Sequence, residues 1–354
     1  MIIKGRIEKL RHKLAEAGLD AILVSQGDNR RYLSGFTGSA GFLLISEGKA
    51  ILATDFRYVE QAQGQAPDFE IFQIQGELPV WFPDLASSLN VKRIGFEASN
   101  VSFSTYRRLT ATMDEKRLVP TEEMVESLRA VKDERELELI TRAVELTDDA
   151  FEAIAPRISP GMKEKEVAWE IEKLLREKGG ESLPFPSIVA SGSNAALPHA
   201  TPSERPILDG EPVVIDIGAR IEGYCSDLSR TICPGNKDKT FAKIYDLVLG
   251  AQLTAIATIE AGMSGEQADA LARTVIERGG YGEAFGHGLG HGVGLAPHEQ
   301  PRLGKGSSTV LSDGMVFTIE PGVYVKGWGG VRIEDLAVME KWKVKVLSKA
   351  KKID

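Results

Sequence analysis

Cysteine is nearly missing from this chain, with only Cys225 and Cys233 among 354 residues. Two thiols cannot build a disulfide framework, and no C-x-x-C spacing offers a zinc or redox site, so both are expected as reduced, buried small residues. Also missing is any run of about 18 apolar residues, the mark of a membrane-spanning helix, and the chain opens on an amphipathic, charged pattern instead of a signal peptide. The expectation is a soluble cytoplasmic protein with no membrane partner. Excess positive charge is lacking too: the formal net charge is -8, which leaves no basic surface to displace counterions from a polyanion and argues against a nucleic-acid partner. Histidine is scarce, five in all, yet three of the five, His287, His291 and His298, crowd into Phe285–Glu299. Every second residue from Gly286 to Gly294 is glycine. No glycine of that stretch starts a G-x-G-x-x-G nucleotide loop, so the pattern presents imidazoles on a bare backbone.

At this length the chain exceeds one ordinary core, and two domains are expected. Residues 1–122 alternate helical and strand patterns, as an α/β domain does. A helix over 4–17 puts Ile7, Leu10, Leu14 and Ala15 on one stripe before Gly18. A strand follows at 21–24, then a hairpin of 41–45 and 50–53 around Glu47-Gly48, a helical run to Gln63, strands at 69–74 and 93–96, and a helix at 103–113. Residues 123–130 form a polar linker, and 131–354 a second domain. That domain contains an echo: Pro160-Gly161-Met162 and Ala261-Gly262-Met263 each precede a helix that ends at a Gly-Gly pair and is followed by strands. Two helix-helix-sheet halves related by a pseudo-twofold axis are expected.

The acids of these halves carry the chemistry. Val213-Val214-Ile215-Asp216-Ile217 is a strand interrupted by a carboxylate, whose burial is costly without a cation or donor. If Glu222-Gly223 is a two-residue turn, Gly218 faces Asp227, and Asp216 shares that face as the diagonal neighbour. In the second half, the strand Met315–Glu320 ends in an acid, and its return strand, Val331-Arg332-Ile333-Glu334, brings another after a Gly-rich connection. Arg332 lies on Glu334's face by alternation. Four acids and one imidazole form an oxygen-rich site that favours Mn²⁺, Co²⁺ or similar ions over a thiolate zinc site. Four repelling carboxylates call for about two divalent cations, the apparatus of metal-assisted hydrolysis.

The series Asp216, Asp227, His291, Glu320 and Glu334, set within H-G-L-G-H-G-V-G-L, T-I-E-P-G and R-I-E-D, resembles the pita-bread-fold metallopeptidases. Within them it is similar to the Xaa-Pro aminopeptidase and prolidase branch, because an N-terminal α/β domain precedes the catalytic one. The segments Ser34–Gly41 and Thr54–Tyr58 resemble those of aminopeptidase P. The resemblance implies an α+β architecture: a smaller creatinase-type α/β domain, then a creatinase/aminopeptidase-like pita-bread domain. It implies Asp216 as ligand of one metal, Asp227 and Glu334 as bridging ligands, His291 as ligand of the other metal, and Glu320 as a ligand suited also to the general-base role. It makes His199 and His298 substrate and oxyanion contacts, His287 a supporting histidine, and Tyr324 and Arg332 neighbours of the ligands. It further implies two divalent ions, with Mn²⁺ ahead of Co²⁺ or Zn²⁺, a proline-containing peptide as substrate and a homodimer. All five ligands are intact, which disfavours a silent interaction protein on the same fold. Ala296-Pro297 before His298 departs from the aliphatic-acidic pattern of many relatives. The expected activity is that of an Xaa-Pro aminopeptidase, with prolidase as the alternative.

Overall fold

The computed structural model describes residues 2–114 and 117–352. It divides into two compact units, one ending at Arg129 and the other beginning at Ala130.

The first unit is one mixed sheet with helices. Its elements are α1 (Ile2–Glu16), β1 (Ala21–Val24), α2 (Gly27–Ser34), β2 (Phe42–Ser46), β3 (Ala50–Thr54), α3 (Val59–Gln65), β4 (Glu70–Gln73), α4 (Leu78–Ser88), β5 (Ile94–Glu97), α5 (Phe103–Thr110), β6 (Leu118–Thr121) and α6 (Glu126–Arg129). The strand order is β4-β3-β2-β1-β5-β6. Ile7, Leu10 and Leu14 are buried along α1, while Ala15, expected on that stripe, is exposed. Two helices were not expected. α4 carries Pro79 in its first turn and Pro83 inside it, which hides its helical period; Trp81, Phe82 and Leu85 nevertheless bury one face. In α2, Gly27 and a polar run mask a helix closed by Gly35 in the left-handed region at φ 77°.

The second unit contains the echo. Its first half runs α7 (Glu134–Ile154), α8 (Glu164–Glu177), β7 (Ile188–Ser191), β8 (Val213–Ile217), β9 (Arg220–Ile221), β10 (Tyr224–Cys225) and β11 (Leu228–Ile232). Its second half runs α9 (Lys239–Thr258), α10 (Gly265–Arg278), β12 (Gly290–Gly292), β13 (Glu299–Leu303), β14 (Val316–Ile319), β15 (Gly322–Val325), β16 (Gly329–Arg332), β17 (Asp335–Glu340) and β18 (Lys343–Val346). Gly161 and Gly262 take matching left-handed conformations, φ 95° and 93°, ahead of α8 and α10. Each half has its own core: Phe151, Val167, Ile171 and Ile215 in one, Phe241, Val248, Ile276 and Phe317 in the other. The sheets order β11-β8-β7 and β13-β12-β14-β17-β18. Cys225 and Cys233 are free and buried; burial pushes the Cys233 thiol up to about 11.

Register places the acids. β8 and β11 pair with Ile217 opposite Leu228 and Asp216 opposite Ser229, the register the Glu222-Gly223 turn demands. Both turn residues have positive φ, 46° and 83°. The second hairpin differs from expectation. Val331-Arg332 does not return along Met315–Glu320: β16 pairs with β15, and β14 pairs with β17, which begins at Asp335 opposite Ile319. A small hairpin is thus inserted between the two acids. Glu320 and Glu334 emerge at one end of the β14–β17 pair because they directly flank its last paired residues.

Candidate metal centre

All five expected ligands line one cavity of about 510 Å³. The nearest atoms of Asp227, His291 and Glu334 lie within 4.8 Å of one another. His291 Nε2 is 3.8 Å from Asp227 Oδ2 and 3.2 Å from Glu320 Oε1. Asp216 completes the wall, its Oδ2 accepting from Arg332 Nη2 at 2.6 Å. Its other oxygen, Oδ1, is buried and has no hydrogen-bond partner among the described residues.

This arrangement is electrostatically unbalanced. Burial, then the charges of Glu334, Asp216 and Glu320, push the Asp227 carboxyl well above the usual range. Glu334 is driven up well above its ordinary value for the same reasons, burial first and then Glu320 and Asp216. Asp216 is raised by burial and Glu320, although Arg332 opposes both. Glu320 goes the other way: burial raises it, but the bond and charge of His291, with His287 and Arg332, hold it down to about 2. His291 is nearer to Glu320 than to Asp227, which explains why one acid falls while its neighbour rises. Clustered buried carboxylates, an orphaned Asp216 oxygen and one imidazole, with no thiolate among the lining residues, are a donor set suited to hard or borderline divalent cations. The residues present therefore fit the metals that the sequence implies.

Of the expected supporting residues, His199, His287, His298 and Arg332 line the same cavity, while Tyr324 is not among its lining residues and reaches it through His287 and Arg332. The ring of His298 sits 4.1 Å from that of His291; burial, then the His291 charge, lowers the His298 pKa. His287 Nδ1 bonds the Gly288 carbonyl at 2.8 Å, and its Nε2 lies 2.9 Å from the Tyr324 hydroxyl. Because a carbonyl can only accept, Nδ1 carries the proton and Nε2 accepts from Tyr324. Tyr324 in turn accepts from Arg332 Nη1 at 2.9 Å. Burial lowers the His287 pKa and raises that of Tyr324, which keeps both neutral.

Several residues that serve the cavity escaped the sequence reading. Thr318 Oγ1 accepts from the His291 backbone N–H and donates to Glu320 Oε1, both at 3.0 Å. On α10, Arg273 donates to the carbonyls of Phe285 and His287, and Asp269 accepts from Leu289 N–H. The glycine-histidine stretch is thus held from outside by a buried ion pair. Arg230, fully buried, bonds Asp335 Oδ1 at 2.8 Å and the Glu334 carbonyl, fixing the chain beside that acid. Arg302 also faces the cavity, from β13, where it pairs with His291. No carboxylate among the described residues lies within ion-pair distance of it.

Residues 138–341 match the family model of metallopeptidase family M24, and residues 6–131 match the creatinase/prolidase N-terminal domain. The chain belongs to metallopeptidase family M24. It is a metal-dependent hydrolase, and the M24 pita-bread architecture accounts for its paired halves. Among solved structures, this M24 chain is similar to the Xaa-Pro dipeptidase from Bacillus anthracis, 43% identical with a TM-score of 0.96 over 99% of both chains. It is also similar to the X-Pro aminopeptidase from Thermotoga maritima, 36% identical with a TM-score of 0.90 over 98% of both. The Xaa-Pro dipeptidase of Pyrococcus horikoshii is 35% identical over 99% of each sequence.

Proposed function

We propose that this M24 protein is an Xaa-Pro dipeptidase, which hydrolyses the bond between a first residue and a C-terminal proline. This reading takes precedence over the aminopeptidase expected from the N-terminal segments. The observation that carries it is Arg302: a cation on the cavity wall, without an acidic partner among the described residues, suits the free carboxylate of a dipeptide. Full-length similarity to two Xaa-Pro dipeptidases supports it.

In this reading residues 131–354 are the catalytic domain. Asp216, Asp227, His291, Glu320 and Glu334 would hold two divalent ions, with Asp216 and Glu320 each serving one, His291 the other, and Asp227 and Glu334 shared between them. The oxygen-rich donor set favours Mn²⁺, with Co²⁺ or Zn²⁺ also accepted. Bound cations supply Lewis acidity and make water nucleophilic near neutral pH. Glu320 takes the proton as water oxygen bonds to the scissile carbon, and that proton passes to the proline nitrogen as the C–N bond breaks. His199 and His298 donate to the developing oxyanion. Arg332 holds Asp216 and the Tyr324 hydroxyl that donates to His287, which burial keeps neutral. The apolar side of the cavity, Phe185, Pro186, Ile188 and Leu303, receives the pyrrolidine ring. That ring removes the N–H and stiffens the chain, so a dedicated pocket is useful. The protein acts as a cytoplasmic homodimer in this reading.

Comparing Ala-Pro with Ala-Pro-amide, in wild type and Arg302→Gln, tests it. Wild type is expected to prefer the free acid, and R302Q to lose about 10- to 100-fold in kcat/KM on Ala-Pro but little on the amide. Equal turnover of acid and amide by the wild type would return the reading to an aminopeptidase.

A further inference from the structure

His199 reaches the cavity from a segment with little structure of its own. After β7 ends at Ser191, a 3-10 turn covers Gly192–Ala196, and Leu197–Pro202 forms neither helix nor strand. Pro198, His199, Ala200, Thr201 and Pro202 all line the cavity. Something other than a regular element must fix this loop. Glu164, the first residue of α8, is completely buried and is not part of the cavity lining. Its Oε1 accepts from the Ser191 backbone N–H at 2.7 Å and Ser191 Oγ at 2.8 Å. Its Oε2 accepts from the Ser203 N–H at 3.0 Å and Ser203 Oγ at 2.6 Å. Asn194 Nδ2 donates to both oxygens, at 3.2 and 3.1 Å. Both ends of the loop therefore close on one carboxylate. The backbone adds two more ties, Glu164 N–H to the Arg205 carbonyl and Lys165 N–H to the Ser203 carbonyl, each 3.1 Å. Burial raises the Glu164 carboxyl, but the bonds from Ser203, Ser191 and Asn194 outweigh it and keep the acid ionised.

We propose that Glu164 is the positioning residue of His199: its carboxylate clasps the loop at Ser191 and Ser203 and so fixes the imidazole at the cavity. The proposal rests on the reading of His199 as a substrate contact. A carboxylate suits the task because six donated bonds converge on two oxygens, which no neutral side chain can accept in full. The loop is further held at Pro198, whose carbonyl accepts from Arg332 Nη1 at 3.2 Å. Loss of Glu164 would thus loosen the loop without freeing it entirely.

The test uses the metal-loaded full chain in four forms beside wild type: Glu164→Gln, Ser203→Ala, His199→Ala and the double variant E164Q/H199A. In E164Q one oxygen becomes a donor that opposes the Ser191 or Ser203 donors. Its kcat on Ala-Pro is expected to fall about 10- to 100-fold, with KM changed by less than about threefold. Hydrogen exchange across 192–202 should rise, while exchange across 286–292 stays as in wild type. The double variant should be no slower than H199A, because the two changes act on one group. Equal additional loss in the H199A background, or unaltered exchange across 192–202, would overturn the proposal. S203A removes one donor and leaves the acid in place. It should move kcat and exchange in the same directions by less, and it judges the proposal if E164Q fails to fold. Should H199A turn over like wild type, the role of His199 fails, while the exchange measurement still decides whether Glu164 clasps the loop.

Discussion

Lys132 shows how a single side chain can hold up the site without touching its chemistry. Its ammonium has no solvent exposure and donates to Glu299 Oε1 at 2.8 Å. Glu299 follows His298, and its second oxygen lies 3.4 Å from the Ala296 N–H. The turn carrying His298 is folded over a carboxylate that Lys132 neutralises. Removing one partner leaves a buried charge, so Lys132→Met is expected to lower unfolding free energy by about 3–5 kcal/mol in chemical denaturation; adding Glu299→Gln should recover most of it. Gly290 makes a second case. A Cβ there would lie 2.0 Å from the Thr318 carbonyl oxygen, and backbone cannot yield that far. Gly290→Ala should cost about 1–3 kcal/mol by the same measurement and weaken metal binding, because His291 is its neighbour. The acids that line the cavity were legible as residues because a carboxylate inside or at the end of an apolar strand demands an explanation. Lys132, Glu164, Arg230 and Arg302 were not: each lies in a segment where a charge reads as ordinary surface, and only the folded chain reveals that the first three are buried.

Among elements, the first acid hairpin was legible to the residue and the second was not. Glu222-Gly223 supplies the two positive φ values that a two-residue turn requires, and the turn then dictates every pair up to Val213 and Ile232. No comparable turn marks the second hairpin, because β15 and β16 intervene and Arg332 pairs there instead. Gly223→Ala tests the role of the first turn. With φ at 83°, alanine should cost about 1–2 kcal/mol and shift the Asp216–Asp227 geometry enough to lower metal affinity by calorimetry. A loss of stability with unchanged metal affinity would mean that the strands, and not the turn, set the register. Helices α2 and α4 were hidden by Gly27, Pro79 and Pro83, where local propensity opposes what burial of Tyr32, Trp81 and Phe82 achieves.

Across the whole molecule, the two halves of the second unit meet at a cluster of acids that repel one another. Asp227 and Glu334 are pushed well above their ordinary values, so without metal each retains its proton to a higher pH than a free carboxylate would. Metal binding must expel those protons, and apparent affinity should therefore fall as pH drops through the raised values and rise again above them. Calorimetry in buffers of different ionisation enthalpy, repeated as pH is lowered, would count the protons released on adding Mn²⁺; a release that does not grow as pH falls would contradict the raised values. The same cluster underlies the catalytic reading, and turnover of Ala-Pro beside Ala-Pro-Phe, with Mn²⁺ and after chelation, tests that reading most directly. Cleavage of Ala-Pro that is lost on chelation and restored by Mn²⁺, with Ala-Pro-Phe slower by about 10-fold or more, is the expected result. Metal-independent hydrolysis, or a preference for the tripeptide, would contradict it.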